Sequence, residues 1–323
     1  MVKNRVLIFD ALNVFMRHYI AHPAMSGNGE QIGGIVGFYY NLIGLVEKCN
    51  PESVIVVWEG GGSKRKRDLY PDYKKGKRPP RMNRYYDKEE IPDSLENRNF
   101  QMSTLIGILS NLPVCQIYVE DAEADDAIGY MSKYKLRNKN KIIVSADHDY
   151  YQLLGDNTII YSPTVKDFVN TASVIKRFNV HPNNFCLAKS IVGDKSDNIP
   201  GVPGVGFKKL SKEYKEFTNP EFEGNCSQLF VENAARVESS KKKIYKSIKE
   251  CETLIERNHK LVYLDVNNLV HYQTKRIDEA IENFNPAWNN LKAIKHLNEN
   301  NIKNIDFLKH GYLLRTLTKG ILW

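Results

Sequence analysis

Hydrophobic positions in the first half of the chain follow two patterns. Val6-Leu7-Ile8-Phe9, Val54-Ile55-Val56-Val57-Trp58, Cys115-Gln116-Ile117-Tyr118-Val119 and Lys141-Ile142-Ile143-Val144 are short, rich in β-branched residues and without alternation. Such runs predict strands buried on both faces. Between them, residues 36–49, 101–112 and 127–136 carry apolar residues at helical spacing. Strand and helix in alternation predict an α/β fold with a mostly parallel central sheet, right-handed crossovers and helices on both faces.

Beyond about residue 190 the pattern turns helical and rich in Lys, Glu and Asn, and Pro200, Gly201, Pro203, Gly204 and Gly206 mark a tight hairpin. This predicts an α/β domain over 1–190 and a helical C-terminal domain over 191–323, with a boundary inside 185–195. The apolar tail 312–323 is expected to dock on the chain's own core, the alternative being a partner protein. No repeat is apparent.

Residues 64–99 interrupt this regularity. The segment is too polar for core and Pro79-Pro80 breaks any helix, so it reads as an arch-like insertion over about 64–100. It also changes the charge picture. The chain carries 46 Lys and Arg against 38 Asp and Glu, an excess of +8. Residues 64–88 alone hold eleven basic residues against three acids, so this stretch accounts for the whole excess. With Tyr70, Tyr73, Tyr85 and Tyr86 interleaved, it suits a partner with phosphates and stackable bases. A solvated charged loop is the plainer alternative.

Composition narrows the class. With 42% hydrophobic and 11% aromatic residues the chain is neither disordered nor of low complexity. No apolar run approaches the roughly 18 residues of a membrane span, and Asp10 comes too early for a secretory segment. A cytoplasmic location is the expectation. The five cysteines are scattered without Cys-x-x-Cys spacing, which argues against a disulfide framework or a zinc knuckle.

The acids are placed with more regularity. Asp10 ends the first predicted strand, Glu59 the second, and Glu123, Asp125 and Asp126 follow the third. Asp147 and Asp149 follow the fourth, with Asp194 and Asp197 beyond. Ligand sites of open α/β sheets form outside the carboxyl ends of the strands, so up to nine carboxylates converge there. Within groups, Glu123 and Asp126 share a helical face at i, i+3; Asp147 and Asp149 share a side if extended; Asp194 and Asp197 share a face of a helical turn. Taken singly, each acid reads as a helix cap or a solvated carboxylate. Together they repel unless cations sit among them. An all-oxygen donor set favours Mg²⁺ or Mn²⁺ over zinc. Two such ions about 4 Å apart generate a hydroxide and stabilise both oxygens of an in-line phosphoryl displacement.

Three motifs then occur in order: Ala122-Glu123-Ala124-Asp125-Asp126-Ala127-Ile128-Gly129, Ser145-Ala146-Asp147-His148-Asp149-Tyr150-Tyr151-Gln152-Leu153, and the run from Val192-Gly193-Asp194-Lys195-Ser196-Asp197-Asn198-Ile199-Pro200 to Gly206. Over about residues 5–215 they resemble the 5′ nuclease family of flap endonucleases and 5′→3′ exonucleases. That family includes the nuclease domain of bacterial DNA polymerase I and stand-alone phage 5′ nucleases such as phage ribonuclease H.

The resemblance implies two Mg²⁺ or Mn²⁺ ions. It makes Asp10, Glu123 and Asp125 ligands around the first metal and Asp126, Asp147, Asp149, Asp194 and Asp197 ligands around the second. Glu59 stands where the family usually has Asp. Tyr73, Lys74 and Arg78 resemble the arch-base residues that approach the scissile phosphate; Lys75 or Lys77 could share the task of Arg78, because the gap between Lys and Arg is longer than usual. Arg65 and Arg67 join the DNA-binding set. The turn through Gly201, Gly204 and Gly206 resembles a helix–hairpin–helix element that grips duplex DNA, with Lys208 and Lys209 after it and, in related hairpins, a K⁺ on backbone carbonyls. Glycines there let amides approach a phosphate, and the start of the next helix favours the anion.

His148 reads as structural, its side chain turned away from the flanking acids. His18 and His22, with Arg17 and Tyr19, read as surface residues or as the lining of a channel for a 5′ end. The implied activity is metal-dependent hydrolysis of flap, nicked or RNA-primed DNA in primer removal, leaving 5′-phosphate and 3′-OH ends. The implied partners are duplex DNA with a 5′ flap or RNA primer and replication proteins such as a single-strand-binding protein or clamp, with no membrane. The chain is expected to act as a monomer and, with no polymerase-sized extension after it, as a stand-alone enzyme. The competing readings are a PIN-like ribonuclease, which usually has fewer acids and no glycine hairpin, and a structure-specific DNA-binding protein that has lost catalysis.

Overall fold

The computed structural model describes residues 5–76, 95–222 and 224–318. The strands are β1 (Arg5–Asp10), β2 (Ser53–Trp58), β3 (Cys115–Tyr118), β4 (Asn140–Val144), β5 (Thr158–Ser162) and β6 (Asp167–Val169). They form one sheet in the order β3-β2-β1-β4-β5-β6, parallel except for β6, which pairs antiparallel with β5. The chain builds outward from β1 to one edge and then, from β4, to the other. The carboxyl end of β1 is therefore the point where the winding direction reverses, the place where such sheets form ligand crevices.

In β1 the side chains divide by the two-residue period: Val6 and Ile8 enter one apolar cluster, Leu7 and Phe9 the other. The second cluster is covered by α1 (Ala11–Ala21), α2 (Gly33–Cys49) and, across the gap, α4 (Leu95–Leu109). Between α2 and α4 lies the short α3 (Lys64–Leu69). The first cluster takes in α5 (Ala124–Tyr130) and, after α6 (Thr171–Phe178), the packed α7 (Phe185–Val192) and α8 (Phe207–Glu213). It continues without a break through α9 (Cys226–Ser239), α10 (Lys243–Glu250), α11 (Glu252–Val262) and α12 (His271–Glu282). The last two helices, α13 (Asn290–Glu299) and α14 (Phe307–Leu317), return to the face of α2 and α4.

The described part of the apolar tail packs on the chain's own core. Phe307, Leu313, Leu314 and Leu317 are buried there, and the Phe307 ring meets that of Tyr39 edge-on at 5.4 Å.

The polar segment differs from its reading as an insertion at both ends. Its first residues form α3, and α4 begins at Leu95 rather than near Gln101. Polarity misleads here because Lys66 on α3 is buried against acids distant in sequence. Lys77, Arg78 and Tyr85–Tyr86 lie outside the described residues. The helix expected over 127–136 is α5 followed by a π-helical turn, Met131–Lys135. Among the described residues, no helix is long and apolar enough to cross a membrane.

Leu314 is fully buried under α2, so Leu314→Ala is expected to lower unfolding free energy by roughly 2–5 kcal/mol. Urea denaturation with an unchanged m-value checks this; a loss under 1 kcal/mol would show that the tail is only loosely docked.

Candidate active site

Each acid reaches the carboxyl edge of the sheet by a local device. Asp10 is both the last residue of β1 and the N-cap of α1, where it accepts the Asn13 N–H at 3.4 Å. Its other oxygen accepts the hydroxyls of Ser145 at 3.0 Å and Tyr150 at 3.1 Å. Burial, reinforced by the neighbouring Asp147, pushes the Asp10 carboxyl up to about 7. Asp147 caps the 3₁₀ turn His148–Leu153 by accepting the Asp149 N–H at 2.9 Å. The segment is therefore a capped turn rather than extended chain, and burial pushes Asp149 also to about 7.

Glu123 occupies the N-cap position of α5 without a side-chain capping bond, and the helix carries Asp125 and Asp126 in its first turn. Carboxylate oxygens of these three lie within 4.8 Å of one another. The crowding is offset by cations. Lys66 places its ammonium 2.7 Å from Glu123 Oε2 and 3.2 Å from both Asp125 Oδ2 and Asp126 Oδ2, with 1% of its side chain exposed. Burial alone would lower the Lys66 pKa, but Asp125, Asp126 and Glu123 outweigh it and hold the ammonium charged. Lys74 approaches from the open side, its side chain 35% exposed, at 2.6 Å from Glu123 Oε1 and 4.0 Å from Asp197. Against the upward push of burial, Lys66 and Lys74 bring Glu123 down to about 2.

Asp194 and Asp197 sit in a tight loop, not a helical turn. The loop is closed by paired backbone bonds between Asp194 and Ile199, at 2.8 and 2.7 Å. Gly193, at φ +81°, and Gly201, where a Cβ would come 2.0 Å from the Val192 carbonyl oxygen, permit this close approach. Lys189 of α7 bridges Asp149 and Asp194, 2.7 Å from the latter. Burial opposes it, yet Lys189 with the Ser196 donors brings Asp194 down to about 2. Burial raises Glu59 and Asp197, each also within the field of Lys74. All nine acids singled out by position therefore gather at one edge. Lys66 and Lys189 were missed. A lone lysine in the apolar stretch Phe185–Val192 was a signal for Lys189; nothing in the basic run 64–67 distinguishes Lys66.

The basic candidates separate by geometry. Tyr73 is buried, and its hydroxyl donates to Glu123 Oε2 at 2.9 Å. Arg65 donates to the Lys260 carbonyl, Arg67 to the Gly61 carbonyl, and Lys75 pairs with Asp72. Gly204 has φ +71°, and its carbonyl accepts Lys209 Nζ at 3.1 Å. Gly206 caps α8. Lys208 lines a cleft of about 570 Å³ with Lys176, Arg177, Lys212 and Lys215, and among the described residues no acid lines it. Phe178, in the same wall, joins the cleft to the acids: its ring is 5.7 Å from His148, which stacks on Tyr151, and 5.0 Å from Phe207. His148 is thus a packing residue. His18 is mostly buried, and burial brings its imidazole down to about 4.

The donor chemistry fits hard divalent cations. The donors are carboxylate oxygens without His or Cys, and the buried Asp126 Oδ2 has the Lys66 ammonium 3.2 Å away but no hydrogen bond of good geometry.

Comparison with known proteins gives a consistent answer. The family model described as 5′-3′ exonuclease, N-terminal resolvase-like domain, matches residues 5–179. The 5′-3′ exonuclease of Aquifex aeolicus is 30% identical over 216 residues, covering 66% of this chain and 70% of that protein. DNA polymerase I of Caldicellulosiruptor bescii is 28% identical over 225 residues, 67% of this chain, and the chain spans a quarter of that protein's length. The solved complex of bacteriophage T5 flap endonuclease with DNA and metal ions shares the fold, at a TM-score of 0.62 and 19% identity over 96% of this chain and 99% of that one.

The raised carboxyls make metal-free stability depend on pH. Asp10 and Asp149 bind their protons more tightly folded than unfolded, so stability is lost as pH rises from about 4 through about 7. Glu123 and Asp194, held low, contribute stability that is lost only as pH falls from about 4 through about 2. In EDTA, the melting midpoint is expected to fall between about pH 4 and 7, with a loss of a few kcal/mol of stability in all, and Asp10→Asn to flatten that fall. A midpoint that is level or rising over this range would show that these two carboxyls are ionised in the metal-free fold.

Proposed function

The chain belongs to the 5′-3′ exonuclease family, and on that premise we propose that it is a structure-specific 5′ nuclease. It hydrolyses phosphodiesters of flap, nicked or RNA-primed DNA, as in removal of RNA primers during replication. The observation that carries this reading is the meeting of nine carboxylates at the switch point of the sheet, one aromatic layer from a cleft lined by five cations.

Two divalent ions, Mg²⁺ or Mn²⁺, fit the acid cluster; when bound, such ions supply an activated water and neutralise both oxygens of an in-line displacement. The chain's own groups do the rest. Glu123, Asp125 and Asp10 would hold the first ion; Asp126, which converges with Glu123 and Asp125, would with Asp147, Asp149, Asp194 and Asp197 hold the second, and Glu59 stands at the end of β2. Lys74, on the open side, is placed to stabilise charge developing on the scissile phosphoryl group. Tyr73 orients Glu123 through its hydroxyl. Lys176, Arg177, Lys208, Lys212 and Lys215 face solvent, with no carboxylate in the cleft wall among the described residues. Mutual repulsion favours a polyanion there, and the phosphate track of a duplex suits its chemistry. A K⁺ on the Gly204 carbonyl at the hairpin would have to displace the Lys209 ammonium.

The direct test is a 5′-flap duplex labelled in turn at each end. Cutting at the junction with Mg²⁺ and none in EDTA is expected, leaving 5′-phosphate and 3′-OH ends; tight binding without cutting would favour a catalytically silent binding protein. Asp125→Asn or Asp147→Asn should lower turnover roughly a thousandfold or more while duplex affinity stays within a few fold. Turnover near wild type would remove these residues from the site. Lys74→Ala should slow cleavage more than it weakens binding, and equal losses would make it a plain phosphate contact. Lys208→Ala and Lys212→Ala should each flatten the dependence of log affinity on log salt by about 1.

A further inference from the structure

Four cations follow one another in α3, and their directions differ. Lys64 pairs with Asp68 at the surface, Arg65 reaches the Lys260 carbonyl and Arg67 the Gly61 carbonyl. Only Lys66 turns inward, its position set by the Ser63 hydroxyl, which accepts the Lys66 N–H at the start of the helix. Its ammonium meets Glu123, Asp125 and Asp126, and these are the acids whose oxygens converge closely enough to hold an ion. With 1% of its side chain exposed, Lys66 lies on the closed side of the cluster, whereas Lys74 stands toward solvent.

From this geometry we infer that Lys66 is a tethered counter-ion: it holds Glu123, Asp125 and Asp126 together before any metal arrives, and it lowers the affinity of that cluster for a divalent ion by competing for the same oxygens. The inference rests on the nuclease reading of the site. Burying three carboxylates without a cation would drive them apart or force protons onto them. The ammonium offsets part of that cost, which lets the three acids pack together before metal binds. The same positive charge sits within a few ångströms of where the ion is held, so it must weaken ion binding. A residue that merely packed α3 against α5 would do neither. Lys66 touches no substrate in this arrangement; it is a positioning residue that tunes the acids.

The test uses the full chain as wild type, Lys66→Met, Lys66→Gln and Lys66→Arg, with Mn²⁺ as probe and no DNA. Mn²⁺ binding is read by electron paramagnetic resonance, and melting midpoints are taken in EDTA and in Mn²⁺. The neutral variants are expected to bind Mn²⁺ at least tenfold more tightly than wild type. Their midpoints should drop in EDTA and recover with Mn²⁺, so that the metal-induced rise exceeds that of wild type by several degrees. Lys66→Arg, which keeps the charge, should stay near wild type in both readouts. If Lys66→Met fails to fold, Lys66→Gln, which still donates to the carboxylates, carries the same comparison. Unchanged or weaker Mn²⁺ affinity in the neutral variants, with the same metal-induced rise as wild type, would overturn the inference. Should wild type itself bind no Mn²⁺ and cut no flap, the nuclease reading falls with it; a wild type that binds and cuts beside unmoved variants removes only the role of Lys66.

Discussion

Much of this structure depends on how like charges are kept together. Nine carboxylates share one edge of the sheet, and two such charges about 4 Å apart repel by about 4 kcal/mol at the effective dielectric of a protein surface. Three ammonium groups answer this, and each bridges distant parts of the chain. Lys66 ties the crossover after β2 to α5; Lys74 ties the following loop to both α5 and the loop after α7; Lys189 ties α7 to the turn after β4. The acid cluster is thus also a set of cross-links. Cations do not cancel the cost everywhere: burial pushes Asp10, and Asp149 despite its pairing with Lys189, up to about 7.

The same constraint shapes the surroundings. Attracting cations at the acids and phosphates at the cleft requires opposite potentials side by side without neutralising each other. The layer of His148, Tyr151, Phe178 and Phe207 separates them with rings rather than charges. Because this layer belongs to the apolar cluster that runs from the sheet into α7 and α8, the spacing between cleft and acids is set by core packing. The proposed roles of the two regions rest on that separation.

Element patterns were legible where burial was two-sided. β1, β2, β3 and β4 were expected within a residue or so of their observed limits, because an unalternating β-branched run has few other places to go. β5 and β6 were missed. β5 alternates between buried and half-buried positions near the sheet edge, and β6 has only three residues, so neither resembles the inner strands. The Asp194–Asp197 segment was taken for a helical turn because its spacing allows one; the close approach of Gly193 and Gly201 makes it a closed loop instead.

The sequence by itself determined which acids would meet, since a residue that ends a parallel strand is carried to the carboxyl edge by backbone geometry alone. Asp10, Glu59, Glu123, Asp125, Asp126, Asp147 and Asp149 were all identifiable from position along the chain. What only the tertiary structure decided was their partners. Lys66 is one of four consecutive cations, and its neighbours find surface or backbone contacts while it is buried among three carboxylates. Tyr73, expected at a substrate phosphate, is bound to Glu123. Local pattern sets the period of an element and the edge at which it ends. A charge's counter-ion depends on which side chains packing brings within a few ångströms, and that is a property of the assembled core.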